Sequence, residues 1–305
     1  MTRIHSTARW ATSAAAVMSL LVLTSCGLNS SPSTDPAASA DPSSVPEASL
    51  ADMLPADIKE AGVIRMATDP NYPPFETMDT DGKTPIGLDP DIAKAVGELL
   101  GVEIEFVPTG FDAIIPALQS GKVDMAMSSI GDTKEREEIV DFATYYWNGT
   151  LVMVNKGNPK DLTADMACGA TIGVIRGSLQ QNTFLPSQAP KCEAAGLEAP
   201  IAEAYQNGPQ AQLALKSKRI DGVMLDAPPL LDAAQRNPDD FETVGPLTRN
   251  PNPGGIAFPK GSELVKPVNA ALNQLIEDGT YMNILTEWNL KEIQIEKSEI
   301  NGAVS

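Results

Sequence analysis

The sequence predicts an α/β fold arranged as two lobes. Three observations carry that prediction. Short runs rich in Val, Ile and Met recur along the chain and are mostly apolar, as strands in sheets covered on both faces are. Segments with helical spacing and helical punctuation separate them, which implies mainly parallel sheets. Roughly 245 residues follow a polar leader, more than one lobe holds comfortably.

The 305-residue chain opens with Arg3 and Arg9, then an apolar stretch from Ala14 to Leu23. That stretch is too short to span a bilayer and suits the core of a signal peptide over 1–25. It ends Leu23-Thr24-Ser25-Cys26-Gly27, which resembles a bacterial lipoprotein box, where the cysteine receives a diacylglyceryl group and acyl chains such as palmitate. The alternative is an ordinary secretory signal with an incidental cysteine. Residues 26–56 are Ser, Pro, Ala and Asp almost without large apolar groups, the composition of a disordered tether.

Strands are expected at 63–67, 103–107, 123–127, 151–154, 171–175, 222–225 and 255–258. The most legible helix has Asp89 as N-cap and Pro90 at its first position. Ile92, Ala93, Val96, Leu99 and Leu100 face inward, and Gly101 stops it. Further helices are expected over 111–121, 209–218 and 262–278, the last stopped by Gly279. Cys168 and Cys192 are the cysteines left after the leader. An even number in an exported chain points to one disulfide; a reactive thiol is the rival reading and lacks a neighbouring base.

The segment MAMSSIGDTKEREEIVDF, 125–142, carries the chemistry. Asp132 with Glu135 three positions on reads as a capping box, so the amides near Gly131 would point toward an anion. Arg136, one turn in, is able to form a bidentate pair with a carboxylate; the alternative is a solvated arginine beside Glu137 and Glu138.

Composition removes several functions. Lys and Arg number 22 against 40 Asp and Glu, and the net charge of −18 disfavours nucleic acid and anionic membrane surfaces. The single histidine, His5, lies in the leader. A Ser-His-Asp triad, a Cys-His pair and a His-bearing metal site are therefore excluded from the mature chain. Neither a phosphate-binding glycine-lysine loop nor a dinucleotide fingerprint is present.

Many short blocks, in one order, resemble the extracytoplasmic solute-binding proteins of family 3, the polar amino-acid ABC-transporter type. They are GVIRMATDPNYPPFE (62–76), GLDPDIAKAV (87–96), FDAIIPALQSGKVDMAMSSI (111–130), TKEREEIVDF (133–142), ATIGVIRGS (170–178), RIDGVMLD (219–226), GGIAFPKGS (254–262) and LIEDGTYMNILTEW (275–288). The resemblance covers about residues 58–290. It implies a type II periplasmic-binding-protein fold, the Venus-flytrap form, with two hinge crossings. Lobe one would be 57–149 with 252–300 and lobe two 150–251, with the disulfide inside lobe two.

By the same resemblance, Arg136 matches the clamp on a ligand α-carboxylate. Ser129 matches a residue serving the α-amino group, and Asp226, at a strand end, the acid that pairs with the α-ammonium. A zwitterion taken from water needs one fixed cation and one fixed anion, which gives the match a physical sense. Tyr72 and Phe111 match aromatic walls. Asp69 matches an acid facing the polar end of the side chain, though it could simply cap the turn into Pro70. Departures are also present. Gly131 stands where Ser or Thr is usual, leaving only an amide. Gly177-Ser178-Leu179 replaces Gly-Thr-Thr, moving a hydroxyl contact to Ser178. Arg176 stands where an uncharged residue is usual and would favour an acidic ligand if it entered the cleft.

The implied protein is a non-enzymatic receptor for a polar or cationic amino acid, delivering it to a membrane permease. It would need no cofactor or metal, act as a monomer and sit lipid-anchored on the extracytoplasmic face. The alternatives are a cyclohexadienyl- or arogenate-type dehydratase on the same scaffold, with Glu76 a candidate general acid, or a ligand sensor.

Overall fold

The computed structural model describes residues 49–163 and 166–305. The signal segment, Cys26 and most of the expected tether lie outside the described residues. The last part of that tether differs from expectation. Leu50–Met53 forms a 3₁₀ turn, Leu54 is buried, and α1 (Ala56–Ala61) follows. Leu54 and Ile58 supply apolar groups that the Ser/Pro/Ala composition of the preceding segment lacks.

In chain order come β1 (Val63–Thr68), β2 (Asn71–Tyr72), β3 (Glu76–Met78), β4 (Pro85–Ile86), α2 (Leu88–Leu100), β5 (Glu103–Pro108), α3 (Phe111–Gln119), β6 (Met125–Ala126), α4 (Lys134–Glu137) and β7 (Val140–Tyr146). Then follow β8 (Gly149–Asn155), β9 (Thr171–Ile175), α5 (Ala189–Ala194), β10 (Ile201–Tyr205), α6 (Gly208–Lys216), β11 (Gly222–Asp226), α7 (Ala227–Arg236) and β12 (Phe241–Arg249). The last elements are β13 (Gly254–Pro259), α8 (Val265–Glu277) and α9 (Thr280–Glu287).

Two five-stranded sheets define two lobes. The first runs β5-β1-β6-β13-β7 and the second β10-β9-β11-β8-β12, with a small β2-β3-β4 sheet beside the first. The expectation of mainly parallel sheets is corrected in part. In each large sheet four strands run the same way and one is reversed, β13 in the first and β8 in the second. Mainly parallel sheets therefore hold for direction, while two of the four pairings in each sheet are antiparallel. Both sheets share this layout although the sequence shows no repeat. The chain leaves the first sheet after β7 through Trp147 and Asn148, and returns from β12 through 250–253 to β13.

The two crossings are tied to each other. Asn250 N–H donates to Asn148 O at 3.0 Å, and Trp147 Nε1 donates to Asn250 O at 2.9 Å. At Gly254 a Cβ would lie 1.8 Å from the Tyr146 ring, so only glycine lets the returning strand pass under that tyrosine.

Helix α2 packs Ile92, Ala93, Val96 and Leu100 into the first lobe against Ile64 and Met66 of β1, all essentially unexposed. Each such aliphatic contributes about 1.5–3 kcal/mol. Gly101 ends the helix at φ 71° as expected, but Leu99 is only half-buried and the N-cap is Gly87 rather than Asp89. Asp89 lies inside the first turn, where its carboxylate serves other elements. The disulfide joins Cys168 to Cys192 of α5, Cα–Cα 5.5 Å, within the second lobe. Among the described residues no helix is long and apolar enough to cross a membrane.

Candidate functional site

The ends of β1, β6, β9 and β11 face each other across a narrow, largely closed cleft. Asp69, Tyr72, Phe111, Ser129, Gly131, Arg136, Ser178 and Asp226 all line it. Asp69 and Asp226, 157 positions apart in the chain (226 − 69), meet there because a strand end is where an α/β sheet exposes its connections.

Arg136 comes from α4, whose N-cap is Thr133: its Oγ1 accepts from Arg136 N–H at 3.2 Å. The expected cap, Asp132, is instead fully buried beside Glu137, with its carboxyl pushed up to about 7 by burial and by that neighbour. The hydroxyl one residue later wins the capping position. The guanidinium of Arg136 is 9% exposed. Nη1 donates to Gly131 O at 2.8 Å and Nη2 to Gly177 O of the other lobe at 3.0 Å, and the Phe111 ring centroid lies 6.0 Å away. Among the described residues no Asp or Glu forms an ion pair with it, and burial lowers its pKa. A buried cation held by carbonyls alone is poised for an anion.

Asp226 closes β11 and precedes α7, 7% exposed. Its Oδ2 accepts from Tyr72 Oη and Ser129 Oγ, both at 3.1 Å and both from the first lobe. Its Oδ1 accepts from Gln180 Nε2 at 3.0 Å. Burial pushes this carboxyl up, and the Ser129, Gln180 and Tyr72 donors pull it partly back. Ser129 sits at φ 47°, in the left-handed region a non-glycine residue rarely adopts. Its Oγ also bonds Tyr146 Oη at 2.9 Å.

Asp69 follows β1. Its Oδ1 accepts from Asn71 Nδ2 at 2.7 Å and its Oδ2 from Phe111 N–H, the first residue of α3, at 3.1 Å. Burial raises its pKa, Asn71 and Phe111 N–H oppose that, and Asp112 adds to it. The turn-capping alternative is thus answered in part: Asp69 caps a helix while lining the cleft. Ser178 Oγ accepts from Gln181 N–H at 3.2 Å and starts the π-turn Gln180–Phe184. Arg176 stays out of the cleft, more than half exposed, pairing with Asp112 across the lobes at 3.5 Å. Glu76 does not line the cleft either; it is fully buried behind it, which removes the candidate general acid.

Two contributors escape sequence reading. Gln180 lies in a π-turn that has no local signature, and Tyr146 lies on β7, a strand not expected there. Leu179, one of the departures the sequence shows, has its Cδ1 2.5 Å from where a Cβ on Gly131 would sit. The two departures at 131 and 179 are therefore complementary, one lobe filling what the other leaves open.

Fold and cleft together define a two-lobed protein whose lobes face each other across a polar cleft at their strand ends. Residues 64–291 match the model of the bacterial extracellular solute-binding proteins, family 3, and the chain belongs to that family. It is similar to the arginine-binding protein ArgT of Corynebacterium glutamicum, 30% identical over 260 residues, 85% of this chain and 84% of the relative. Among solved structures, an ancestral arginine-binding protein bound to arginine matches at TM-score 0.67 and 36% identity, covering 74% of this chain and 98% of the other. An ancestral arginine-binding protein bound to glutamine matches at TM-score 0.67 and 37% identity, over 75% and 98%.

Proposed function

We propose that this chain is the substrate-binding component of an amino-acid ABC importer, holding one free polar or cationic amino acid between its lobes and delivering it to a membrane permease. One observation carries the reading. Arg136 of one lobe is buried without a carboxylate partner among the described residues, and Asp226 of the other lobe is a buried carboxylate facing the same cleft. A free amino acid presents the complementary pair of charges. Asp69 adds a second negative charge to the cleft while Arg176 stays on the rim, so the lining carries one excess negative charge and a cationic side chain suits it best. The named arginine-binding relatives support that preference.

The lobes that close on the ligand are 57–149 with 252–300, and 150–251. The chain acts as a monomer without catalysis or cofactor, anchored by lipid at Cys26 on the extracytoplasmic face. Intact-mass measurement of membrane-extracted protein checks the anchor: a free Cys26 thiol, or a mature chain starting elsewhere, rejects it. Calorimetry on Arg136→Ala and Asp226→Ala tests the clamp. Each substitution is expected to cost about 3–5 kcal/mol of arginine affinity, since the opposite group is left buried and unpaired. Near-native affinity in either variant means that other groups hold the ligand.

A further inference from the structure

A pair of carboxyls that the ligand reading does not use lies one layer beneath the cleft. Glu76, at the start of β3, and Asp89, in the first turn of α2, are both 0% exposed. Asp89 Oδ1 accepts from Tyr145 Oη at 2.7 Å, and its Oδ2 accepts from Ser129 N–H at 3.1 Å. Glu76 Oε1 accepts from Ser128 Oγ at 2.7 Å. Glu76 Oε2 meets no hydrogen-bond donor among the described residues. Asp89 N–H donates to Phe75 O at 3.0 Å and so brings the Asp89 carboxyl beside the start of β3, where Asp89 pushes the Glu76 carboxyl up and Glu76 holds that of Asp89 down. Two carboxylates cannot bond each other, because both only accept; a carboxyl and a carboxylate can.

We propose that Glu76 and Asp89 share one proton, Glu76 donating through Oε2 to an ionised Asp89, and that this pair positions the Ser128–Ser129 turn beneath the ligand. The assignment of donor and acceptor follows from the partners. Asp89 already accepts from two strong donors, which favour its charged form, whereas Glu76 has one serine hydroxyl. The groups facing the pair from the surrounding elements do not supply a cation. They are Asp69 after β1 and Tyr145 and Tyr146 of β7, with Asp226 and Arg136 lying on the far side of Tyr146. Burial and Asp89 push the Glu76 carboxyl well above its usual range, and burial lifts Asp89 to about 6.

The turn needs such support. Ser129 holds a left-handed backbone while its hydroxyl reaches Asp226 of the other lobe, and its N–H is tied to Asp89. The role in binding rests on the amino-acid reading of the cleft; the shared proton does not.

The test compares Glu76→Gln with Asp89→Asn. A glutamine reproduces a protonated Glu76, its amide donating to Asp89 and its oxygen accepting from Ser128. Asparagine at 89 gives up the charged acceptor on which Ser129 N–H and Tyr145 Oη converge. At about pH 7 to 8, where Asp89 is ionised, Glu76→Gln should bind arginine within about threefold of wild type, while Asp89→Asn weakens binding by more than about thirtyfold. Equal losses in both variants, or none in either, overturn the positioning role. Infrared spectra in D₂O decide the proton even if Asp89→Asn does not fold. Wild type at neutral pH should show a protonated-carboxyl stretch of which one component disappears in Glu76→Gln, and unchanged spectra overturn the proposal. Failure of wild type to bind any amino acid would reject the reading of the cleft while leaving that infrared component to judge the dyad alone.

Discussion

Arg136, Asp226 and Asp69 set the charge of the cleft, and each is held by a different kind of contact. The first is cradled by carbonyls, the second by hydroxyls and an amide, the third by a helix N-terminus. Legibility followed from chain-locality. Arg136 and Asp226 stand beside a helix start and a strand end that the sequence marks, but only the family resemblance implied that they meet at one cleft, where both line the wall. Gln180 comes from a turn without a pattern and was not legible. Leu179 yields a residue-scale prediction. Gly131→Ser brings a side chain to within 2.5 Å of Leu179 Cδ1 and should weaken arginine binding by about 1–2 kcal/mol. Adding Leu179→Thr should restore much of the loss. Additive effects in the double-mutant cycle would mean that the two positions are independent. Asp69→Asn should cut the preference for arginine over glutamine by about tenfold or more, read by competitive titration.

Among the elements, strands with uninterrupted apolar runs were legible and those with buried polar groups were not. β7 is buried along its whole length although it contains Asp141 and Thr144. Asp141 accepts from Lys260 Nζ at 2.8 Å, Gly261 N–H at 2.6 Å and Asn301 Nδ2 at 3.0 Å, so donors some 120 to 160 positions away make burial tolerable. No local window contains that information. β10 and β12 escaped for the opposite reason, being largely exposed at the edges of the second sheet. The disulfide is an element-scale device. It closes a loop with sequence separation 24 in the second lobe. Replacing both cysteines by serine should lower unfolding free energy by about 3–4 kcal/mol on the chain-entropy model, with arginine affinity unchanged. Denaturant titration checks the first part. A loss below about 1 kcal/mol would mean that the unfolded chain gains little from release of the link.

At the scale of the whole molecule, an acidic chain has buried several carboxyls without cations. Glu76, Asp69 and Asp226 are raised, Asp89 stands at about 6 and Asp132 at about 7. Unfolded, these groups release their protons near pH 4. Folded, they hold them to higher pH, so between those values the native state carries more protons and stability falls as pH rises. Asp89 and Glu76 contribute to that decline as a pair. Denaturant midpoints should therefore be higher at about pH 5 than at about pH 8, and a flat or rising profile would place these groups in a wetter setting than the fold shows. The same charge balance governs recognition. The cleft between the lobes holds two carboxylates and one guanidinium, so it should discriminate ligands by side-chain charge as well as by their zwitterionic end. Calorimetric titration of the purified protein with arginine, lysine, glutamine and glutamate measures that directly. Arginine or lysine should bind tightest, glutamine more weakly and glutamate least. Glutamate binding tightest, or no amino acid binding at all, would contradict the account.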